Sequence, residues 1–485
     1  MIESIQELLG WDERTMMPPA AGEYRAEQMT TLSGLVHQRR TDPRLGGWLN
    51  ELTGSSLDSD VHSPSAATIR ELRRDYEKSC KLPQSLVEEL TRACVLGQQI
   101  WTQARKDNDF RSFQPHLQQI FRLKLQQAEA IGYLDQPYDA LLDDFEPHAR
   151  TSDVADVLTG LKDQLTPLVA TLVDSPRQPD ASLLQRRYPI ADQQAFGRQV
   201  AESIGFDFQR GRLDVTAHPF CAGLGPHDCR ITTRYHEHEF PMAFFGILHE
   251  AGHGLYDQGL PPEHYGLPPG SYLSLGIHES QSRLWENAVG RSRSFWQHYF
   301  PHAQQRFPEA LSGVVLDDFH FAVNQVRPSL IRVEADEATY NLHIIIRFEL
   351  ELALLSGDLP VGDLPGVWRE KYRQTLGIEP PDDADGVLQD IHWSAGLIGY
   401  FPTYTLGNLY AAQFYHQADT DLGGIDDLLA RGEFAPLLEW LRRHIHAKGR
   451  CYSAAELVVD VTGRPLSSQP LLDQLRGKYL PLYQG

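Results

Sequence analysis

Cysteine is scarce in this sequence, and long apolar runs do not occur. The five cysteines among 485 residues are an odd number without a C-x-x-C pair, which is unlike a disulfide framework. Cys221 and Cys229 are near enough in sequence to approach each other in a loop, but we expect reduced thiols. The longest apolar stretches, such as Met242 to Leu248, fall well short of the ~18 residues of a membrane-spanning helix. These absences exclude a disulfide-stabilised secreted scaffold and a membrane-embedded protein.

Basic residues are also few relative to acidic ones. The 44 Lys and Arg face 65 Asp and Glu, so the formal net charge is −21. Such a surface repels phosphate backbones and anionic lipids, which excludes nucleic acid and membrane as expected partners. The N-terminus carries Glu3 where a secretory signal would carry Lys or Arg, and no sustained apolar core follows it. We therefore expect a cytoplasmic protein.

Helical patterns dominate the chain. Residues Arg70 to Asp135 place apolar side chains at three- and four-residue spacing, and Asp153 to Val173 continues in the same way. Between Arg212 and Phe240, β-branched and aromatic residues flank the turn-like segment AGLGPHD, which predicts a short hairpin or small sheet. The expected fold class is therefore mainly α, with a small β-sheet placed just before one of the helices.

The segment FFGILHEAGHGLYDQG contains the pattern H-E-x-x-H at His249, Glu250 and His253. On a helix, residues i and i+4 lie on one face, so both imidazoles can bind one zinc ion. The Glu250 carboxylate can then reach the attacking water as general base without being a ligand. The alternative is a helix whose two histidines make ordinary hydrogen bonds. The apolar residues before His249 predict a buried helix, where paired histidines need a reason, and this favours a zinc metallopeptidase.

A third ligand is needed, because catalytic zinc usually takes three protein ligands and keeps one position open. The metzincin continuation fails, since its glycine and third histidine would fall on Tyr256 and Gly259. Spacing alone does not choose among the acidic and histidine residues that follow. The candidates are Asp257, Glu263, His264, His278, Glu279 and Glu286.

We expect the whole chain, residues 1–485, to form one peptidase unit of two lobes. Residues 1–200 would form a mostly helical lobe and one wall of a groove. Residues 201–485 would form the catalytic lobe, with the small sheet and the zinc-binding helices. A sheet edge just before the H-E-x-x-H helix suits a peptidase cleft, because an extended substrate can pair with an exposed strand.

Six short motifs stand in a fixed order along the chain. They are His218–Phe220 (HPF), Asp228–Thr232 (DCRIT), His249–His253 (HEAGH), His278–Gln281 (HESQ), Ile331–Asp336 (IRVEAD) and Gly386–Trp393 (GVLQDIHW). The stretches GWDERTMMPP and GLIGYFPTYTLGN belong to the same set. With these motifs the chain resembles the carboxypeptidase Taq family of metal-dependent carboxypeptidases over nearly its full length.

The resemblance implies Glu279 as the third metal ligand and Glu250 as general base. It also implies an elongated, mostly helical, two-lobed fold with a deep substrate groove. Members of the family release single C-terminal residues from peptides that have a free C-terminus, commonly with broad preference. They are typically cytoplasmic homodimers with one zinc ion per chain, and cobalt sometimes substitutes for zinc.

The resemblance also extends to the residues that would handle the substrate. In the similar helical peptidases, a histidine and tyrosines of a late segment stabilise the oxyanion, which indicates His392 and Tyr404, with Tyr400 beside the substrate. These aromatic residues have an alternative role in packing the core. A C-terminal carboxylate needs a cation on so acidic a protein, and the resemblance indicates Arg332.

Each arginine candidate has a structural alternative. Arg332 stands four residues before Asp336, so the two side chains can simply pair on a helix. Arg230, in DCRIT, is a further candidate for substrate binding, but it too can serve in an ion pair.

Two other functions compete with the zinc carboxypeptidase. An oligoendopeptidase on the same helical H-E-x-x-H scaffold would cut peptides whose C-terminus is amidated, which a carboxypeptidase would not. A metal-free binding or scaffold protein would require a broken site, yet the proposed ligands and Glu250 are all present.

Overall fold

The computed structural model describes residues 1–484, and they form a mainly helical protein, as predicted. Among these residues, no helix combines the length and the apolar character needed to cross a bilayer. The α-helices are α1 Ile2–Thr15, α2 Gly22–Arg40, α3 Pro43–Leu52, α4 Pro64–Lys81, α5 Gln84–Asp107, α6 Phe110–Ile131, α7 Pro137–Leu142, α8 Thr151–Val173, α9 Ile190–Ser203, α10 Phe240–Gly259, α11 Leu275–Arg283, α12 Arg293–Arg306, α13 Pro308–Leu311, α14 Leu316–Val323, α15 Glu337–Ser356, α16 Leu364–Leu376, α17 Pro402–Leu422, α18 Ile425–Ala430, α19 Ala435–His444, α20 Ala454–Thr462 and α21 Gln469–Gln484.

The predicted small sheet is present and has three strands in the order β1-β3-β2. The strands are β1 Gly211–Val215, β2 Cys221–Gly225 and β3 Asp228–Thr233. β1 runs parallel to β3, and β2 runs antiparallel to it. The prediction that AGLGPHD is a turn was partly wrong, because its first four residues lie in β2 and three of them, Ala222, Gly223 and Gly225, pair with β3. Backbone pairing in the sheet thus outweighs the turn preference of two glycines.

Helix α10, which carries the H-E-x-x-H pattern, is buried between β3 and α11. Pro241 is the second residue of the helix, in the first turn, where a missing N–H costs no intrahelical hydrogen bond. On one side, Gly254 makes room for Phe206 and for Ile231 of β3, because a Cβ there would lie 2.6 Å from Phe206 Cε2 and 3.2 Å from Ile231 Cγ2. On the other side, a Cβ at Gly252 would lie 2.5 Å from the carbonyl oxygen of Gln281. The backbones of α10 and α11 therefore touch, which a larger residue at 252 would prevent.

Helix α11 begins at a side-chain cap, since the Ser274 hydroxyl accepts a hydrogen bond from the Ile277 N–H. After Arg283 the chain continues into a π-helical segment, Leu284–Val289. Each residue of a π-helix advances around the axis by a smaller angle than in an α-helix, and such segments often lie at functional sites. Residues seven apart across this junction therefore point in different directions.

By its internal contacts the chain divides into two compact units. The first unit contains Met1–Ser79, Pro179–Asn324 and Tyr410–Leu466. The second contains Cys80–Gln178, Gln325–Leu409 and the described residues from Ser467 onward. The units are interleaved along the chain, and residue 200 lies inside the first of them. The expected division into one groove wall before residue 200 and a catalytic lobe after it stays a prediction.

Candidate functional site

Three candidate metal ligands of the first unit converge on one point. His249 and His253 of α10 and Glu279 of α11 place one donor atom each within 4.8 Å of one another. The Oε2 atom of Glu279 lies 3.3 Å from His253 Nε2 and 3.7 Å from His249 Nε2. Tetrahedral zinc with nitrogen and oxygen ligands holds its donors about 3.4 Å apart. The three side chains therefore have the separations that one zinc ion requires.

The outer nitrogen of each imidazole has a hydrogen-bond partner. His249 Nδ1 lies 2.9 Å from Glu286 Oε2, and His253 Nδ1 donates to the carbonyl oxygen of His278 at 3.0 Å. Because Nδ1 carries the hydrogen in both rings, the Nε2 lone pairs are directed at the centre that Glu279 shares. This is the arrangement of an outer shell that orients metal ligands.

Glu279 and His253 are in the protonation states that bind a metal ion. Although burial alone would raise the pKa of Glu279, Arg283 and the two histidines hold it well below its usual range. The pKa of Glu286 falls to about 2, because Arg283 and His249 outweigh the effect of burial. Burial lowers the pKa of His253 to about 4, so this ring is neutral and offers its lone pair. An ionised carboxylate and a neutral imidazole at these separations fit a divalent metal ion.

Arg283 is a residue of this site that sequence reasoning missed. Its Nε donates to Glu279 Oε1 at 2.7 Å, which leaves Oε2 facing the histidines, and its Nη1 lies 3.3 Å from Glu286 Oε2. The spacing i, i+4 from Glu279 was the available signal. Of the six third-ligand candidates that spacing left open, Glu279 is the one whose carboxylate lies beside both Nε2 atoms.

Glu250 lies on the same helix between the two histidines and is 6% exposed. Burial raises its pKa to about 7, although the charge of His249 acts in the opposite direction. A carboxyl group with a pKa near neutrality can both accept and release a proton under ordinary conditions.

In the second unit, Arg332 belongs to a buried polar cluster. Its Nε and Nη2 both lie 2.9 Å from Asp390 Oδ1, and its Nη1 donates to the Tyr340 hydroxyl at 3.0 Å. Arg347 donates to the other oxygen of Asp390 at 2.6 Å. The alternative pairing of Arg332 with Asp336 does not form, because Asp336 caps α15 by accepting from two backbone N–H groups.

The aromatic candidates lie beside this cluster in the same unit. His392 Nε2 is 3.1 Å from the Tyr404 hydroxyl, and the Tyr404 ring centre is 5.0 Å from the Arg332 guanidinium carbon. Burial lowers the pKa of His392 to about 3, so its ring is neutral. Tyr400 packs edge-on against Phe145, with ring centres 5.1 Å apart.

Arg230 is held by a local ion pair. Its Nε and Nη2 donate to the two carboxylate oxygens of Asp228 at 2.9 and 2.8 Å, and its guanidinium lies over the ring of Trp11. This ion pair is the structural alternative to substrate binding by Arg230, and a substrate contact of Arg230 stays a prediction.

The contact between Glu286 and His249 leads to a prediction. Glu286→Gln is expected to weaken metal binding by about 10-fold to 100-fold, since outer-shell partners orient the ligand and raise its basicity. Competition with a chelator measures this affinity. Glu263→Gln, at an exposed glutamate, is the matched control and should bind metal as the unaltered protein does. Equal affinities of the two variants would contradict an outer-shell role for Glu286.

Known proteins are similar to this chain in sequence and in fold. The sequence profile of the carboxypeptidase Taq (M32) metallopeptidases matches residues 1–479. Thermostable carboxypeptidase 1 of Thermus thermophilus is 49% identical over 99% of this chain and 96% of its own length. Carboxypeptidase 1 of Bacillus subtilis is 38% identical over 98% and 95%. A crystal structure of the M32 carboxypeptidase of Deinococcus radiodurans superposes with a TM-score of 0.96 at 42% identity, over 100% and 97% of the two chains. The chain thus belongs to the carboxypeptidase Taq (M32) family of metallopeptidases, and it is a metal-dependent peptide hydrolase of the carboxypeptidase type.

Proposed function

We propose that the protein is a zinc carboxypeptidase that removes single C-terminal residues from peptides with broad specificity. The observation that carries this proposal is the convergence of His249 Nε2, His253 Nε2 and Glu279 Oε2. The Nδ1 atom of each histidine is hydrogen-bonded to a group that is not a ligand. Two imidazoles and one carboxylate suit zinc, and cobalt is an acceptable substitute. When bound, the ion would polarise the scissile carbonyl group and make water acidic enough to supply the nucleophile near neutral pH.

Glu250 acts as the general base in this proposal. Its carboxylate takes a proton from the attacking water and then delivers it to the leaving amine. Its position between the two histidine ligands and its burial support this role, since a buried carboxylate holds the proton away from bulk solvent. The raised pKa of Glu250 suits a group that must carry a proton in one half of the reaction only.

Arg332 binds the C-terminal carboxylate of the peptide. Two guanidinium groups, Arg332 and Arg347, share the single carboxylate of Asp390. His392 is neutral, so these groups carry one uncompensated positive charge in a buried place. Burying an unbalanced charge is costly unless a partner arrives. A substrate carboxylate would supply that partner, and the guanidinium fork suits it.

Tyr404 and His392 assist at the scissile carbonyl. The Tyr404 hydroxyl donates its hydrogen to the developing oxyanion, and the neutral ring of His392 positions that hydroxyl through the contact of 3.1 Å. A donor of this kind contributes about 10²-fold to 10³-fold to the rate. Tyr400 packs beside His392 and Tyr404 and lines the binding site of the peptide chain.

The setting of the enzyme is proposed from the resemblance to its family. We propose a cytoplasmic homodimer whose partners are peptides with a free C-terminus, and neither nucleic acid nor membrane. The net charge of −21 supports the last two points, because it repels both polyanions and anionic lipid surfaces.

The test compares an unblocked peptide with its C-terminally amidated twin by timed mass spectrometry. Successive loss of single C-terminal residues from the unblocked peptide only is expected, and a chelator should stop it. Restoration by zinc would assign the ion. Internal cuts in both peptides would contradict the proposal and indicate an oligoendopeptidase. Absence of metal-dependent cleavage by folded, zinc-loaded protein would reject a peptidase role altogether.

A further inference from the structure

A second group of metal-ligating side chains lies in the first unit, and it shares no residue with the site described above. It consists of Cys221 of β2, Cys229 of β3 and Asp257 in the last turn of α10. Cys221 Sγ lies 3.6 Å from Cys229 Sγ and 3.7 Å from Asp257 Oδ2. All three donor atoms lie within 4.8 Å of one another, and Cys229 is buried.

These separations match a metal ion bound by two thiolates and one carboxylate. With Zn–S bonds of about 2.3 Å and tetrahedral angles, two sulfur ligands lie about 3.8 Å apart, and sulfur and oxygen ligands about 3.6 Å apart. A disulfide would need the two sulfur atoms at about 2.0 Å. The observed distances agree with the first arrangement.

The strand register also favours an ion over a disulfide. Cys229 is paired with Gly223, and Cys221 with Ile231, so the two cysteines are diagonal neighbours on one face of the sheet. Diagonal neighbours lie farther apart than directly opposite residues, whose Cβ atoms are already about 4.5–5.5 Å apart, whereas a disulfide needs Cβ atoms about 3.5–4.5 Å apart. An ion between the two sulfur atoms spans their separation of 3.6 Å with two metal–sulfur bonds, so the strands need not move.

The carboxylate of Asp257 is oriented toward the thiols. His278 Nε2 lies 3.0 Å from Asp257 Oδ1, which leaves Oδ2 directed at Cys221. Gly223 keeps the space for this carboxylate, since a Cβ there would lie 2.7 Å from Oδ2. A histidine that hydrogen-bonds the oxygen of a carboxylate ligand that does not face the metal is a typical outer-shell contact of a metal site.

From this geometry we propose that Cys221, Cys229 and Asp257 bind a second zinc ion, in addition to the ion at His249, His253 and Glu279. Thiolate ligands select zinc over magnesium or calcium. Three protein donors leave the fourth position of a tetrahedral ion to water. The ion would tie β2 and β3 to the end of α10. Asp257 also contacts His278, which lies in α11 directly before Glu279, so the two metal sites would be connected through this contact.

Binding of the proposed ion exchanges the thiol protons for metal–sulfur bonds. The ion would release one proton from each thiol to solvent as the two metal–sulfur bonds form. No oxidation accompanies this step.

The test uses cobalt(II) as probe, because only sulfur ligands give intense thiolate-to-cobalt charge-transfer absorption in the near ultraviolet. The full-length protein is stripped with chelator under reducing conditions and titrated with cobalt. We expect two ions per chain and the charge-transfer band. Cys221→Ser should lose the band and keep one ion, while the matched control Cys94→Ser should keep both. Since the readout is absorption and stoichiometry, it is independent of peptide cleavage at the first site.

A second variant protects the test against misfolding. Asp257→Asn retains both thiols, and we expect it to weaken cobalt binding at the sulfur site at least about tenfold. One ion per chain without a charge-transfer band in the reduced, folded protein would overturn the proposal. A Cys221–Cys229 disulfide, found by mass spectrometry in protein purified without reductant or metal chelator, would also overturn it and make the pair a redox couple.

Discussion

Replacing Glu250 by glutamine is expected to lower kcat by about 10³-fold and to leave the metal content of the protein unchanged. Glutamine keeps the shape of the side chain and its acceptor oxygen, but it cannot take a proton from water. The three proposed ligands lie on other residues, so the affinity for the metal should stay within a few-fold. The loss should appear in kcat more than in KM, because Glu250 acts on the proton and not on the peptide chain.

The measurement is steady-state cleavage of one unblocked peptide, together with metal analysis of each preparation. Glu239→Gln makes the same chemical change at an exposed residue just before α10, and it should cleave as the unaltered protein does. Glu250→Asp keeps a carboxylate but withdraws it by one methylene, so its kcat should lie between the values of Glu250→Gln and Glu239→Gln. A loss below tenfold in metal-loaded Glu250→Gln would assign the base to another group.

The metal helix is the part of the site that local sequence rules describe best. The i, i+4 spacing of His249 and His253 needs only a helix to bring both rings to one face, and the apolar residues before them predict its burial. The adjacent small sheet also follows from local composition. The position of strand β2 did not, because the pairing of Gly223 with Cys229 is decided by the neighbouring strand and not by the preference of a glycine for turns.

The choice of the third ligand lies beyond local rules. Glu279 and Glu286 are seven residues apart and would share one face of a regular helix. The π-helical segment Leu284–Val289 intervenes, so Glu279 faces the Nε2 atoms while Glu286 faces His249 Nδ1. The direct backbone approach at Gly252 fixes the register of the two helices. Neither feature has a periodic signature in the sequence, and the resemblance to a family was needed to select Glu279.

The surroundings of Arg332 show the same limit. Spacing suggested Asp336 as its partner, but the carboxylate of Asp336 caps α15. The partner in the structure is Asp390, which is distant in sequence and comes close only through tertiary packing. The presence of a second arginine at Asp390, and therefore the excess positive charge, was also hidden from sequence reasoning.

This excess charge gives the second large prediction. Arg332→Met is expected to lower kcat/KM for unblocked peptides by on the order of 10²-fold, as expected when one partner of a buried charge pair is removed. Asp390 keeps Arg347 as partner, so the cluster becomes neutral and no longer attracts a carboxylate. Arg332→Lys retains the charge but not the bidentate fork, and it should recover part of the loss. Thermal melting of each variant shows whether the fold is retained.

Loss of kcat/KM alone would not separate a substrate contact from a damaged cluster, so the amidated twin peptide is used as a competitive inhibitor. An amide makes no ion pair with Arg332, and its inhibition constant should therefore be nearly the same in Arg332→Met and in the unaltered protein. Damage to the cluster would instead weaken both the amide and the free acid. Arg347→Lys removes part of the contact between the fully buried Arg347 and the same Asp390. This variant should bind both the amide and the free acid more weakly. If Arg332→Met behaves like Arg347→Lys, Arg332 is only an ion-pair partner of Asp390, and the substrate carboxylate is bound by another group.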